Sequence, residues 1–149
     1  MRLLTLFAAA LLCGHLQAEK PPSSNAKLLK ESTNVVTGTV KAIYQRTEKH
    51  NSWEYTYFIA EIRVKNSEKG DGIAADSLIY VRYWQKEWKG KGDPPPDTAG
   101  HFPLPSKNDA VRVYLARNSY DGFTDENKDG GFNVIGTNGF EKLPSQTGK

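Results

Sequence analysis

The chain has 149 residues, of which 38% are hydrophobic, 11% aromatic and 25% charged, with a formal net charge of +3 and one cysteine. This length fits one domain and is too short for two cores of ordinary size. The aromatic content argues against a disordered chain, and the single cysteine excludes an intrachain disulfide scaffold. The only sustained apolar run lies at the start of the chain, which excludes a multispan membrane protein.

The first 18 residues have the pattern of a secretory signal peptide. Arg2 gives a basic start, an apolar run extends from Leu3 to Leu12, and Ala18 supplies a small residue at the expected cleavage point. This run is shorter than the roughly 20 apolar residues that span a bilayer, so no integral membrane segment is expected after cleavage. The alternative, a buried N-terminal helix, would be broken abruptly by the polar residues 19–24. The pattern therefore predicts a secreted or periplasmic protein.

Cys13 gives a second interpretation of the same segment, in which the chain is a lipoprotein acylated at this cysteine. Lipoprotein signals place small residues before the cysteine, whereas Leu12 precedes it here, so cleavage after Ala18 is favoured. Such cleavage would leave 131 residues without cysteine, in which 19 basic residues face 17 acidic ones. The resulting net charge of +2 gives no basic footprint, so no nucleic-acid partner is expected.

One domain is predicted between two short end segments. Residues 19–33 form a tether or a short helix, in which Asn25–Glu31 would make one or two turns with Asn25 as the N-cap. Residues 34–143 form a single β-barrel domain, and residues 144–149 form a disordered tail.

Alternating apolar and polar side chains predict three strands in the first half of this domain, over residues 35–44, 53–64 and 78–84. Gly38 lies inside the first strand, where a glycine is typical of sharp bending or close backbone approach. The polar residues 45–51 are predicted to form the turn between the first two strands.

The second half of the domain begins with an unusually long connection. Residues 85–108 contain five prolines and three glycines, and a loop of this length in a small domain is typically functional or mobile. A fourth strand is predicted over residues 110–117 and a short fifth strand over residues 131–135. Residues 140–143 are expected to pack back against the sheet.

Together these elements predict an all-β fold, a small five-stranded antiparallel OB-like barrel with a long Pro/Gly-rich loop between strands three and four. Residues 35–117 resemble the OB-like barrel of netrin/TIMP-type modules, through Val36-x-Gly38-x-Val40, the segment 61–71 with its Lys-Gly-Asp, and the segment 109–115. The resemblance implies the fold only. TIMP-type inhibition of metalloproteases uses an N-terminal cysteine, which the cleaved chain lacks, so that activity is not implied.

Aromatic and arginine side chains on strands three and four suggest a binding surface. If their faces are exposed, rings and guanidinium planes would form a stacking surface of the kind that binds oligosaccharides on OB-like barrels. The candidate ligand-binding residues are Tyr80, Arg82, Trp84, Trp88, Arg112 and Tyr114. The alternative is that these side chains pack beneath the 85–108 loop. The predicted function is an exported, non-catalytic binding or interaction module for a protein or saccharide partner.

The segment Asp125-Glu126-Asn127-Lys128-Asp129-Gly130 matches the opening half of a calcium loop, with Asp125, Asn127 and Asp129 as candidate metal ligands. The twelfth loop position, which should be a bidentate glutamate, is Gly136. A plain polar turn is therefore the favoured interpretation, and a calcium-stabilised structural domain is the alternative function.

No catalytic constellation or organic cofactor is predicted from the sequence. The cleaved chain would have His50 and His101 only, both in predicted loops. Ser106, His101 and Asp97 could be combined into a triad on paper, but no nucleophile-elbow motif accompanies them. The chain is therefore not expected to be an enzyme.

Overall fold

A computed structural model describes residues 22–95, 100–117 and 131–144 of the chain. The elements are α1 (Asn25–Glu31), β1 (Asn34–His50), β2 (Trp53–Lys69), β3 (Leu78–Trp88), β4 (Ala110–Ala116), β5 (Phe132–Val134) and β6 (Phe140–Lys142). The predicted signal peptide, the calcium-type segment 125–130 and residues 145–149 of the predicted tail lie outside the described residues. Among the residues described, no helix is long and apolar enough to cross a membrane.

The six strands form one mixed sheet in the order β1-β2-β3-β5-β4-β6, and β1 also pairs with β4. The pairings therefore close a ring through the five strands β1 to β5. The sixth strand, β6, pairs with β4 and is not a member of the ring. The prediction of a predominantly β fold is confirmed. The prediction of five antiparallel strands is wrong, because residues 140–142 form a sixth strand and β5 pairs with β3 in parallel, with Val81 opposite Phe132.

The main core lies on the inner side of this ring and follows the alternation read from the sequence. In β3, Ile79, Val81 and Tyr83 are buried. Tyr83 stacks on Phe58 of β2 with ring centroids 4.8 Å apart, and it meets the edge of Phe140 of β6 at 4.9 Å. Burial raises the pKa of the Tyr83 phenol far above its usual value.

The first two strands are much longer than predicted, with 17 residues each. The predicted turn at 45–51 is wrong: residues 45–50 continue β1, and the chain reverses only at Asn51-Ser52, where Asn51 has φ 53°. Register shifts bend β1 against β2, one of them between Val40 and Ala42. At Gly38 an added Cβ would collide with the Arg63 carbonyl, which explains the glycine that the sequence pattern singled out.

The short helix α1 packs on the outside of the ring, over β4 and the start of β1. Ser24, not the expected Asn25, caps it by accepting a hydrogen bond from the Lys27 N–H at 3.3 Å. A second, smaller core forms beneath it from buried side chains of the helix, two strands and the residue after β5: Leu28, Val35, Tyr114, Ala116 and Ile135.

The start of β4 is preceded by a turn that Asp109 holds in place. Its Oδ2 accepts a hydrogen bond from the Ser106 N–H at 2.7 Å and lies 3.0 Å from Lys142 Nζ of β6. These two contacts hold the pKa of the Asp109 carboxyl below its usual value.

Substituting Asp109→Asn should lower the free energy of unfolding at pH 7 by roughly 0.5–1 kcal/mol, a modest effect because the carboxylate is partly exposed and solvent screens its interactions. A lowered folded pKa means that this stabilisation is present above the unfolded carboxyl pKa and is lost as the pH falls through the folded value. Urea unfolding across pH 2–7 should therefore show the variant and the parent converging below about pH 4. Asp71→Asn, at an exposed position, is the control; a constant difference at every pH would contradict the assignment.

Candidate functional site

Four of the six predicted binding residues lie on the outer side of β3. Tyr80, Arg82, Trp84 and Trp88 point outward because successive side chains of a strand alternate and their neighbours fill the core. They differ in exposure: Tyr80 is 48% exposed, Arg82 and Trp88 are half-buried, and Trp84 is only 8% exposed. The sequence could not decide whether these rings are covered, and the structure shows that Trp84 is.

Arg112 and Tyr114 lie elsewhere on the molecule. Both are on the outer side of β4, which β5 separates from β3. Arg112 donates a fork of hydrogen bonds to Glu68 at 2.8 and 3.1 Å and another bond to Glu141 at 3.0 Å. Tyr114 is buried in the second core beneath α1. The six candidate residues are therefore not brought together as one surface.

Further aromatic residues join the β3 group from β2. Trp53, Tyr55 and Tyr57 lie directly opposite Trp88, Lys86 and Trp84, and residues opposite each other in an antiparallel pair share a face. Sequence reasoning missed these three, although their spacing of two residues along a strand was the available signal. On β1, Tyr44 lies opposite Ile59 and Arg46 opposite Tyr57.

We call this outer surface of β1, β2 and β3 the aromatic face. Its apolar members are Tyr44, Trp53, Tyr55, Tyr57, Ile59, Tyr80, Trp84 and Trp88, and its cations are Arg46, Arg82 and Lys86.

The rings of the aromatic face are ordered by contact with one another. Trp53 and Trp88 meet edge to face with centroids 5.1 Å apart, and Tyr55 lies nearly parallel to Tyr57 at 6.2 Å. Tyr55 also lies 6.3 Å from Trp84, which links β2 to β3 across the face. Rings fixed in this way lose little conformational entropy when a ligand stacks on them.

Cationic groups lie over two of these rings. Lys86 Nζ is 4.4 Å from the centroid of the Trp53 ring, and the Arg46 guanidinium is 5.2 Å from that of Tyr57. Arg46 also forms an ion pair with Glu48 at 3.1 Å on the same face. The surface therefore combines ring planes with cationic groups, and it also carries the carboxylates of Glu48 and Glu61.

A cavity of about 450 Å³ adjoins the aromatic face at the start of β3. Ile59, Tyr80 and Arg82 belong to both, and Phe132 and Arg117 form part of the remaining wall. The Arg117 guanidinium lies 4.7 Å over the Phe132 ring. The aromatic face is thus continuous with a cavity whose wall includes Arg82 and Arg117.

His101 lies in the connection between β3 and β4, as expected, but its side chain is buried, with only 1% exposed. Its Nε2 lies 3.1 Å from the Val134 carbonyl oxygen, which requires a proton on Nε2. Nδ1 then accepts a hydrogen bond from the Trp84 N–H at 3.2 Å. The ring joins β3 to the end of β5, which is a structural role.

The remaining sequence-based site hypotheses gain no support from the geometry. Ser106 is exposed, and Asp97, its proposed partner in a triad with His101, lies outside the described residues. The residues described contain no group of three or more side chains able to hold a metal ion. Asp125, Asn127 and Asp129 lie outside them, so the calcium hypothesis stays a prediction.

Comparisons with protein-family models, with curated proteins and with solved structures found no match to this chain. The function therefore has to be argued from the site itself.

Proposed function

We propose that the chain is an exported, non-catalytic binding module on an OB-like barrel, which holds a saccharide or protein ligand on its aromatic face. Export is supported by the signal-peptide pattern of residues 1–18. The barrel is supported by the ring of pairings β1-β2-β3-β5-β4-β1. In OB folds the outer face of the second and third strands is a frequent ligand platform, and the outer sides of β2 and β3 carry most of the aromatic face in this chain.

One observation carries the proposal: large hydrophobic side chains are exposed to solvent on an outer sheet surface, where polar side chains would be expected. Tyr44, Ile59 and Tyr80 are exposed, and their side chains lie on one side of three adjacent strands. Single exposed hydrophobic residues are ordinary, whereas a contiguous row of them is typical of an interaction surface. Tyrosine, tryptophan and arginine are also the residues that dominate binding energy at such surfaces.

The two ligand classes would use the same chemistry in different ways. Sugar rings would stack on the tyrosine and tryptophan planes, and a protein would seat an apolar or acidic side chain in the cavity between Arg82 and Arg117. The test therefore uses probes of both classes.

We expect isothermal titration of the full chain against neutral and acidic soluble polysaccharides, and against a library of apolar and acidic peptides, to identify binding in one class. Tyr80→Ala and Tyr44→Ala should each weaken that binding about tenfold or more, the usual loss at an aromatic hot spot. Both side chains are exposed, so the thermal midpoint should stay within about 2 °C of the parent.

Leu29→Ala is the matched control, because Leu29 is 49% exposed on α1, away from the aromatic face. Equal loss of binding in this control would contradict the proposal. So would unchanged binding in both tyrosine variants, or the absence of binding to every probe.

A further inference from the structure

On the described part of the chain, the outer edge of β1 has a long segment that no other strand pairs with. β1 pairs with β4 only from Asn34 to Thr39, and Val40 then exchanges hydrogen bonds with Asn108 and Asp109. From Lys41 to His50, none of the described residues pairs with β1 on this side. We call this segment the β1 edge. An unpaired strand edge presents a row of free N–H and C=O groups, which is a template for another strand.

The other edge of this three-stranded region, which belongs to β3, is covered by a later segment of the chain. Gly100 forms a bridge with Gln85 of β3, and the His101 N–H donates to the Trp84 carbonyl at 2.9 Å. The chain thus returns to cover the edge of β3, while the β1 edge keeps its main-chain groups available on the described part of the chain.

The hairpin turn determines which groups face outward. His50 pairs with Trp53 across the two-residue turn, so these two residues bond directly to each other. Hydrogen bonding alternates along an antiparallel strand, so the even-numbered residues of the β1 edge bond to β2. The outward N–H and C=O groups therefore belong to Ile43, Gln45, Thr47 and Lys49.

We propose that two copies of the chain form a symmetric dimer by antiparallel pairing of their β1 edges, centred on Thr47. In this register Thr47 forms a hydrogen-bonded pair with the partner's Thr47, and Gln45 does so with the partner's Lys49. Arg46 then lies opposite the partner's Glu48, and symmetry repeats this ion pair. The two symmetry-related Arg46–Glu48 pairs fall at non-hydrogen-bonded positions, where opposite side chains approach most closely.

Charge selects this register over its neighbours. Centring the pairing one residue earlier would place Arg46 against the partner's Arg46, and one residue later would place Glu48 against the partner's Glu48. Directly opposed like charges destabilise a strand pair. Within one chain Arg46 and Glu48 are 71% and 52% exposed and lie 3.1 Å apart, and Arg46 also lies over the Tyr57 ring. Their high exposure leaves both side chains room to turn to a second strand.

The dimer would join the two aromatic faces. Even-numbered residues of the β1 edge lie on the aromatic face, and a two-fold axis perpendicular to the sheet keeps them on one side in both copies. The result is one continuous aromatic surface on six adjacent strands, namely β1, β2 and β3 of both copies. This inference does not depend on the proposed ligand, since it concerns the main chain of β1.

Sedimentation equilibrium of the full chain tests the proposal. We expect a monomer–dimer equilibrium that weakens as salt is added, because two exposed ion pairs contribute to it. Glu48→Arg should raise the dissociation constant about tenfold or more, and the double variant Arg46→Glu/Glu48→Arg should restore it. Thr47→Pro should abolish the dimer while the fold survives, because the N–H that it removes faces the partner and not β2.

Glu31→Arg, the same charge change on α1, is the matched control, and circular dichroism with a thermal melt reports on the fold of each variant. A parent chain that is monomeric up to about 100 µM would overturn the proposal. A dimer that responds equally to Glu48→Arg and Glu31→Arg would overturn it as well, and so would a folded Thr47→Pro variant that still dimerises.

Discussion

Replacing Tyr83 with alanine should lower the free energy of unfolding by about 3–5 kcal/mol, the range for truncation of a large buried aromatic side chain. Tyr83 is 1% exposed and packs against Phe58 and Phe140, so it joins β2, β3 and β6 in the main core. Truncation would remove both ring contacts and leave a cavity that the paired strands around it cannot close. Urea denaturation followed by tryptophan fluorescence measures the effect.

Tyr80→Ala is the natural comparison for this variant. The same substitution three residues earlier on the same strand falls on an exposed side chain, where a change within about 0.5–1 kcal/mol is expected. Similar losses at both positions would show that the inner and outer sides of β3 have been assigned wrongly.

The second large effect is expected at His101. His101→Ala should reduce stability by about 2–4 kcal/mol, because it removes a buried ring and leaves the Val134 carbonyl and the Trp84 N–H without their partner. His101→Gln should recover part of this loss, since an amide can both donate and accept. Thermal and urea unfolding of the two variants provide the measurement.

Phe102→Ala gives the control at the neighbouring position, where the side chain is 73% exposed and little change is expected. If His101→Ala unfolds no more easily than Phe102→Ala, the buried position of His101 is incorrect and a surface role must be reconsidered.

The strands that could be predicted from the sequence are those in which apolar and polar residues alternate. In the first half of β3 and of β4, buried side chains such as Val81 and Val113 alternate with more exposed ones, and the alternating sequence pattern separated these two sets without reference to neighbouring strands. The same alternation grouped Tyr80 and Arg82 on one side of β3, but it left open whether that side is exposed or covered.

The sequence could not show where the second half of β1 lies. Residues 45–50 are polar on both sides, and polar residues before a turn are as typical of a loop as of a strand. Their strand conformation depends on pairing with β2, which brings Arg46 against the Tyr57 ring. Sequence analysis therefore identified only the β3 members of the aromatic face. Its β1 and β2 members depend on the register of the strand pairing, which the sequence does not show.

Burial that depends on distant segments was also beyond the sequence. Tyr114 has the outward position that alternation predicts, but α1, which begins about ninety residues earlier, covers it. His101 lies in a segment rich in glycine and proline, and only its contacts with Trp84 and Val134 reveal that it is buried. The parallel pairing of β5 with β3 likewise depends on the path of the whole chain.

The register shift at Lys41 has a consequence for how this protein can vary. Beyond it, residues 42–50 pair with 53–61 without a further break, so the hairpin is a uniform ladder with two sides. Lengthening each strand by two residues would add two cross-strand residue pairs and leave every side chain on its present side. Adding or deleting a single residue in β1 alone would exchange the two sides for everything nearer the tip. The hairpin can therefore grow or shrink only in units of four residues if the aromatic face is to be kept.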